Sequence, residues 1–151
     1  MTDKPTNTLA TEFADADDSP GLMLWRVTNA WQAAQRAALK PFGITHVQFV
    51  LLASLTWLQS DAPVTQNQLA GHAHTNPMMT SQVLRALEQL ELVRRDQHPT
   101  DGRATVISVT TAGRELANRS VAAVEACDTE FFAALGPATA DFAELLGRLV
   151  R

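Results

Sequence analysis

The chain has 151 residues, 46% of them hydrophobic, a formal net charge of −4 and a single cysteine, Cys127. These values suit one globular domain with an ordinary core and exclude an intramolecular disulfide framework. No apolar run reaches the roughly 18–20 residues of a membrane helix, and no basic-then-apolar segment marks a signal peptide, so a cytoplasmic location is expected.

The charge is unevenly spread. Residues 1–20 hold Asp3, Glu12, Asp15, Asp17 and Asp18 against Lys4 alone, which leaves eleven charges of each sign in the remainder. The segment 1–20 is polar, acidic and unpatterned, and is expected to be a flexible arm or a fraying turn. The neutral remainder, 21–151, is expected to fold as a single domain. Any anion-binding face there must come from local clustering of cations.

Residues 22–40 carry an alanine-rich pattern of helical period, broken at Pro41-Phe42-Gly43. Thr45 with Gln48 makes a capping box, and Ile44 with Phe49 makes a hydrophobic staple. The apolar run Phe49–Leu58 then predicts a buried helix ending at Asp61-Ala62-Pro63. Thr65 with Gln68, and Val64 with Leu69, repeat the same start signals. Gly71 is expected to stop this third helix after about two turns.

Asn76-Pro77 starts a fourth helix, since Asn caps well and Pro suits the first helical position. Val83, Leu84, Leu87, Leu90 and Val93 are its expected apolar side. Leu92–Arg95 and the alternating stretch Ala104–Thr110 read as two strands around a turn-rich tip, residues 97–103. A long helix from Thr111 to about Leu135, a break at Gly136-Pro137 and a final helix from about Ala138 to Val150 complete the chain. The fold class is therefore mainly α with a small two- or three-stranded β wing. Residues 64–110 form a winged helix-turn-helix, a shape that can lay a helix in the major groove of duplex DNA and a hairpin tip in the minor groove.

Several stretches carry a closer resemblance. They are Gln68-Leu69-Ala70, the helix Asn76–Glu88, Leu92-Val93-Arg94-Arg95, Thr100-Asp101-Gly102-Arg103 and Val109-Thr110-Thr111-Ala112-Gly113-Arg114. In this order they resemble the MarR family of transcriptional regulators, over about residues 21–151. The resemblance implies an interleaved homodimer built from the terminal helices, 21–43 and 111–151. It implies a regulator, usually a repressor, acting on a pseudo-palindromic operator. Asn76, Pro77, Met78, Met79, Thr80, Ser81 and Gln82 would face the major groove. Arg103 would enter the minor groove with Asp101 as its orienting partner. Thr65, Gln66, Arg85 and Arg94 would touch phosphates or support those contacts.

Three departures stand out. Met78 replaces a common Ser or Thr, and Gln82 replaces a common Arg. Methionine suits a thymine methyl and glutamine an adenine edge, so an A·T-leaning operator is expected. Leu90-Glu91 stands where Arg-Gly or Lys-Gly is usual, so the helix end is expected to be shaped differently.

Plainer readings stand beside these. Arg94, Arg95 and Arg103 also suit solvated hairpin charges, and Met78-Met79 suits packing. His72 and His74 lack supporting ligands, so no metal is expected. His98 suits a phosphate contact or no role. Cys127 sits among Glu125, Asp128 and Glu130, which favours a structural thiol. Trp25, Trp31 and Trp57 suit core or interface. The resemblance also implies a small, often aromatic, effector in the crevice between the dimer helices and the winged lobe, for which Trp25 and Trp57 are the candidate contacts; no residue identifies the ligand. No phosphate loop, nucleophile elbow or His-Glu metal helix is present, so neither enzymatic activity nor a cofactor is expected. The competing reading is a winged-helix interaction module that has lost DNA recognition.

Overall fold

The computed structural model describes residues 8–59 and 62–151. Asp3, Lys4 and Asp61 of the readings above lie outside the described residues. The chain divides into two compact units, Met1–Ala33 and Ala34–Arg151. Helix α1, Pro20–Leu39, is continuous across that division.

In the first unit the expected arm is partly folded. Asp15 caps a short 3-10 turn, Ala16–Asp18, by accepting from the Asp17 N–H at 3.0 Å. The Ser19 hydroxyl accepts from the Leu22 N–H at 3.3 Å, so α1 begins at Pro20. Asp17 also reaches Arg26 at 2.6 Å, an exposed ion pair that adds little stability. Within the acidic segment, Asp15 is thus a capping residue and Asp17 an ion-pair partner of the first turns of α1.

The second unit holds the core. Gly43 takes a left-handed φ of 70° after the 3-10 turn Lys40–Phe42, which turns the chain into α2, His46–Leu58. Both limbs of the Thr45–Gln48 capping box are formed, at 3.0 and 3.2 Å. Helix α2 is the central element. Its Phe49, Leu51, Leu52 and Leu55 join Leu39, Leu69, Leu84, Leu87, Val93, Ile107 and Leu116 in one cluster. Burying each leucine contributes about 2 kcal/mol.

After Pro63, Val64–Thr65 forms a short strand, β1, and the Thr65–Gln68 box opens α3, Gln66–Ala73. Gly71 does not stop α3. The helix runs on until His74, whose φ of 54° lets the Thr75 N–H reach back to the Ala70 carbonyl at 3.1 Å. Helix α4, Pro77–Gln89, starts as expected, with the Asn76 carboxamide oxygen accepting from the Met79 N–H at 2.7 Å. Its buried side is Thr80, Leu84 and Leu87. Leu90 is exposed, because it is already the C-cap where the chain leaves the helix.

The wing comprises β2, Val93–Gln97, and β3, Thr105–Val109. The sheet has three antiparallel strands in the order β1-β3-β2, with Val64 opposite Ile107 and Val93 opposite Val109. Strand β1 thereby ties the start of α3 to the base of the wing. Helix α5, Thr111–Phe131, follows from a Thr110 cap. A kinked 3-10 segment, Ala133–Ala138, then turns at Gly136, and α6, Thr139–Val150, closes the chain.

The end of α4 keeps its shape without glycine. Glu91 itself takes a φ of 60°. Its N–H reaches the Glu88 carbonyl and that of Leu92 the Leu87 carbonyl, both at 2.9 Å. This is the Schellman pattern that glycine usually serves, held at a cost of about 1 kcal/mol. The Leu92 carbonyl then accepts from Thr110, and the Glu91 carbonyl accepts from the Thr110 hydroxyl. Gly113 lies against this knot: a Cβ there would stand 2.0 Å from the Leu92 carbonyl oxygen. The Thr-x-x-Gly at the wing exit is therefore a close approach of backbone to backbone.

Candidate nucleic-acid interface

Three places in the winged region carry the candidate contact residues: the start of α4, the wing tip and the start of α3. Helix α4 presents Met78, Met79, Gln82 and Arg85, with Met78 at 73% and Met79 at 42% exposure. They are exposed because they lie off the side that packs on the core, and because Asn76-Pro77 starts the helix just before them. Ser81 is half-buried beside them. Asn76 spends its carboxamide oxygen on the cap, and Pro77 has no donor, so both shape this end more than they read from it.

Thr80 is a correction to the expected reading face. It is 0% exposed, its hydroxyl lies 2.6 Å from that of Thr75, and it donates to the Asn76 carbonyl at 2.8 Å. It fixes the turn between α3 and α4 from the inside and is closed to a ligand.

The wing tip is built by its own side chains. His98 Nδ1 accepts from the backbone N–H groups of Thr100 and Asp101, at 3.2 and 3.1 Å. Asp101 Oδ1 accepts from the Arg103 backbone N–H at 3.1 Å, and Gln97 donates to the Gly102 carbonyl at 2.9 Å. Asp101 thus orients Arg103 through its main chain. His98, for which a phosphate contact was considered, organises the loop.

A groove of about 410 Å³ joins the wing to the start of α3, lined by Thr65, Gln66, Asn67, Asp101, Arg103 and Thr105 among others. It brings four of the expected residues together: Thr65, Gln66, Asp101 and Arg103. Asn67 and Thr105 were missed; Asn67 had a signal, as the exposed polar neighbour of Gln66 in the first turn of the helix.

Arg94 is not part of that groove. It lies on β2, the strand at the other edge of the sheet from β1, and lines a separate hollow with Glu88, Glu91 and Asp96. Beside it Arg95 is held by Glu88 at 3.3 Å, and this guanidinium lowers the Glu88 carboxyl below its usual range. Arg95 is therefore committed within the fold.

Away from the wing, Gln35 is fully buried and donates to Asp128 at 2.6 Å, tying the end of α1 to α5. Its Oε1 has no partner among the described residues. Nearby His46 is pulled below its ordinary value by burial, Asp128 opposing and Arg36 adding to the effect. Burial, then Asp128 and Glu130, push the Cys127 thiol up, away from the reactive thiolate. Cys127 also lines a groove of about 650 Å³ with Ala34, Ala37, Ala38 and Phe131. Trp57 is 83% exposed and Trp25 is exposed too, so neither is a core residue within the single chain. Among the described residues no group of three His, Cys, Asp or Glu could hold a metal ion, and no single helix is long and apolar enough to cross a membrane.

The comparisons with known proteins agree with this geometry. The MarR family model matches residues 44–105, which take in α2, α3, α4, β2 and the wing tip and end at the first residue of β3. The HTH-type transcriptional regulator YdcH of Bacillus subtilis (strain 168) is 40% identical over 124 residues, covering 82% of this chain and 84% of YdcH. The HTH-type transcriptional repressor Rv2887 of Mycobacterium tuberculosis is 36% identical, over 89% of this chain and 96% of its own. Its structure with DNA superposes with a TM-score of 0.67 at 32% identity, covering 87% of this chain and 97% of that one. Its complex with salicylic acid gives 0.67 at 35%, covering 89% and 99%. With two relatives of this identity matched over most of both lengths, the chain belongs to the MarR family of HTH-type transcriptional regulators.

Proposed function

We propose that this chain binds duplex DNA as a homodimer and acts in the cytoplasm as a transcriptional repressor released by a small ligand, without enzymatic activity. The observation that carries the reading is the shared exposure of the α4 start and the wing tip. Met78, Gln82 and Arg85 stand on a helix sized for the major groove. Arg103 stands at the end of a preformed loop, where a guanidinium suits the negative potential of a narrow minor groove. Gln66 and Asn67, in the first turn of α3, line one groove with Arg103. Two winged lobes related by a dimer axis would present their reading helices about 34 Å apart, one turn of DNA.

The effector part of the proposal draws on Rv2887, whose structure has been determined both with DNA and with salicylic acid. Trp25 and Trp57, both exposed in the single chain, are the candidate effector contacts. A ligand that prefers the DNA-incompetent arrangement by about 1.4 kcal/mol lowers DNA affinity tenfold.

The test is fluorescence anisotropy with duplex DNA from upstream of the chain's own gene, for wild type and Arg103→Ala, at two salt concentrations. The expected result is salt-sensitive binding that the substitution weakens about tenfold. Binding to neither this DNA nor a random pool at low salt would overturn the reading and favour an interaction module instead.

A further inference from the structure

We propose that Met78 and Gln82 specify A·T pairs in the operator, Met78 by packing its thioether on a thymine methyl and Gln82 by pairing with the N6 and N7 edge of an adenine. This rests on the DNA-binding reading above and names the bases that the α4 surface selects.

Met78, Gln82 and Arg85 stand at helical positions i, i+4 and i+7, so they form one stripe along α4. Thr80, Leu84 and Leu87 repeat the same spacing on the opposite side and are all buried. The stripe is therefore the part of α4 turned furthest from the core, and every member of it is exposed. Its chemistry is unusual for a surface. Residues 76–84 contain no ionisable side chain, and the first turn leaves Met78 73% exposed.

A guanine is read most strongly by an Arg or Lys that donates to O6 and N7. The first two turns of α4 have no such group. Glutamine presents a donor and an acceptor together, which match adenine N7 and N6. Methionine offers only a weak acceptor but a polarisable apolar body, and the thymine methyl is the apolar feature of the major groove. Leaving Met78 in water against a polar base edge would gain nothing; covering it with a methyl removes apolar surface from water on both partners. Met78 and Gln82 are about 6 Å apart along the helix axis, nearly two base-pair steps, so they would address neighbouring pairs. Arg85 comes one turn later, where it can reach a phosphate or the next base.

Chemically altered DNA tests this directly. An operator is first selected from a random duplex pool with the full-length wild-type protein. It is then resynthesised with deoxyuridine in place of each thymidine in turn, which deletes one methyl, and with 7-deaza-adenine in place of each adenine, which deletes N7. Affinities are measured for wild type, Met78→Ala and Gln82→Ala, with thermal unfolding confirming that both variants fold. The expected result is a loss of about fourfold at one thymine per half-site, absent in Met78→Ala. At a nearby adenine the 7-deaza base should weaken wild type and leave Gln82→Ala unaffected. Equal wild-type affinity for thymine and uracil at every position, or a selected consensus with G·C at the two neighbouring pairs assigned to Met78 and Gln82, overturns the assignment while the regulator reading stands. Failure to select any duplex overturns both.

Discussion

Helices α4 and α6 are alike in length, 13 and 12 residues, and both carry apolar residues along one side. Their fates differ. Helix α4 buries Thr80, Leu84 and Leu87 against α2, α3 and β2 of its own chain. Helix α6 buries nothing: Leu145, Leu146, Leu149 and Val150 are all exposed, Leu149 at 74%. Its attachment is a short aromatic chain, Phe131 to Phe132 at 5.1 Å and Phe132 to Phe142 at 5.8 Å. The comparison teaches that amphipathicity states that a helix needs a partner but not where the partner comes from. The winged region is complete within one chain, whereas α6 has an apolar stripe of the kind that a second copy covers.

Substitutions can break that contrast, and the winged region should give the largest effect. Gly113→Ala drives a methyl into the Leu92 carbonyl, which is backbone and held by the α4 cap. A loss of about 3 kcal/mol is expected, read as a large fall in the thermal midpoint. A midpoint within a degree or so of wild type would mean that the close approach is not real.

On α6, Leu149→Asp should leave the winged region folded, because the residue touches no core. Dimer affinity should instead fall by at least tenfold, visible as a shift toward monomer on dilution in sedimentation velocity. An unchanged sedimentation profile would assign the α6 stripe to some other partner.

A smaller effect, opposite in sign, is expected at the end of α4. Glu91→Gly places the residue that tolerates φ of 60° where glutamate is strained, so stability should rise by about 1 kcal/mol. Denaturant unfolding with an unchanged slope would record it. A destabilised variant would mean that Glu91 makes contacts that outweigh its strain.

The smallest effect is on acid stability. Burial holds the His46 imidazole below its ordinary value of about 6.5 in the folded chain, so the unfolded chain takes up the proton first as pH falls. Stability is therefore full above about 6.5 and declines below it, until the lowered folded value is passed. His46→Gln should flatten this part of the pH–stability curve. A slope unchanged by the substitution would place its origin elsewhere.

Much of the fold was legible because helix starts are local chemistry. Thr45 with Gln48, Thr65 with Gln68, and Asn76 with Pro77 each close their hydrogen bonds within four residues, so a short stretch of sequence contains the whole cause. Helix ends were harder. Gly71 looked like a stop, yet α3 continues to Ala73 because His74 supplies the left-handed turn. Glu91 keeps the geometry that its lack of a hydrogen side chain seemed to forbid, because the hydrogen bonds from Glu91, Leu92 and Thr110 hold it.

The reading surface was legible as a segment but not residue by residue. Thr80 has the composition of a base reader and the position of a core residue, and only the phase of α4 against Leu84 and Leu87 decides between them. Arg94 and Arg103 are both wing arginines, but sheet order puts Arg94 on the edge strand beside three carboxylates and Arg103 on the groove with Gln66. A third strand was allowed for, but its place at Val64–Thr65 was not legible, since two residues make a strand only when another segment pairs with them.

The central claim is that two copies joined through their terminal helices hold one duplex between two winged lobes. Sedimentation equilibrium of the full chain with a short duplex carrying the selected operator measures the mass of that complex. The account predicts two chains on each duplex, with Leu149→Asp losing the complex while keeping its fold. A single chain bound stably to the operator, or a Leu149→Asp monomer that binds as well as wild type, would contradict it.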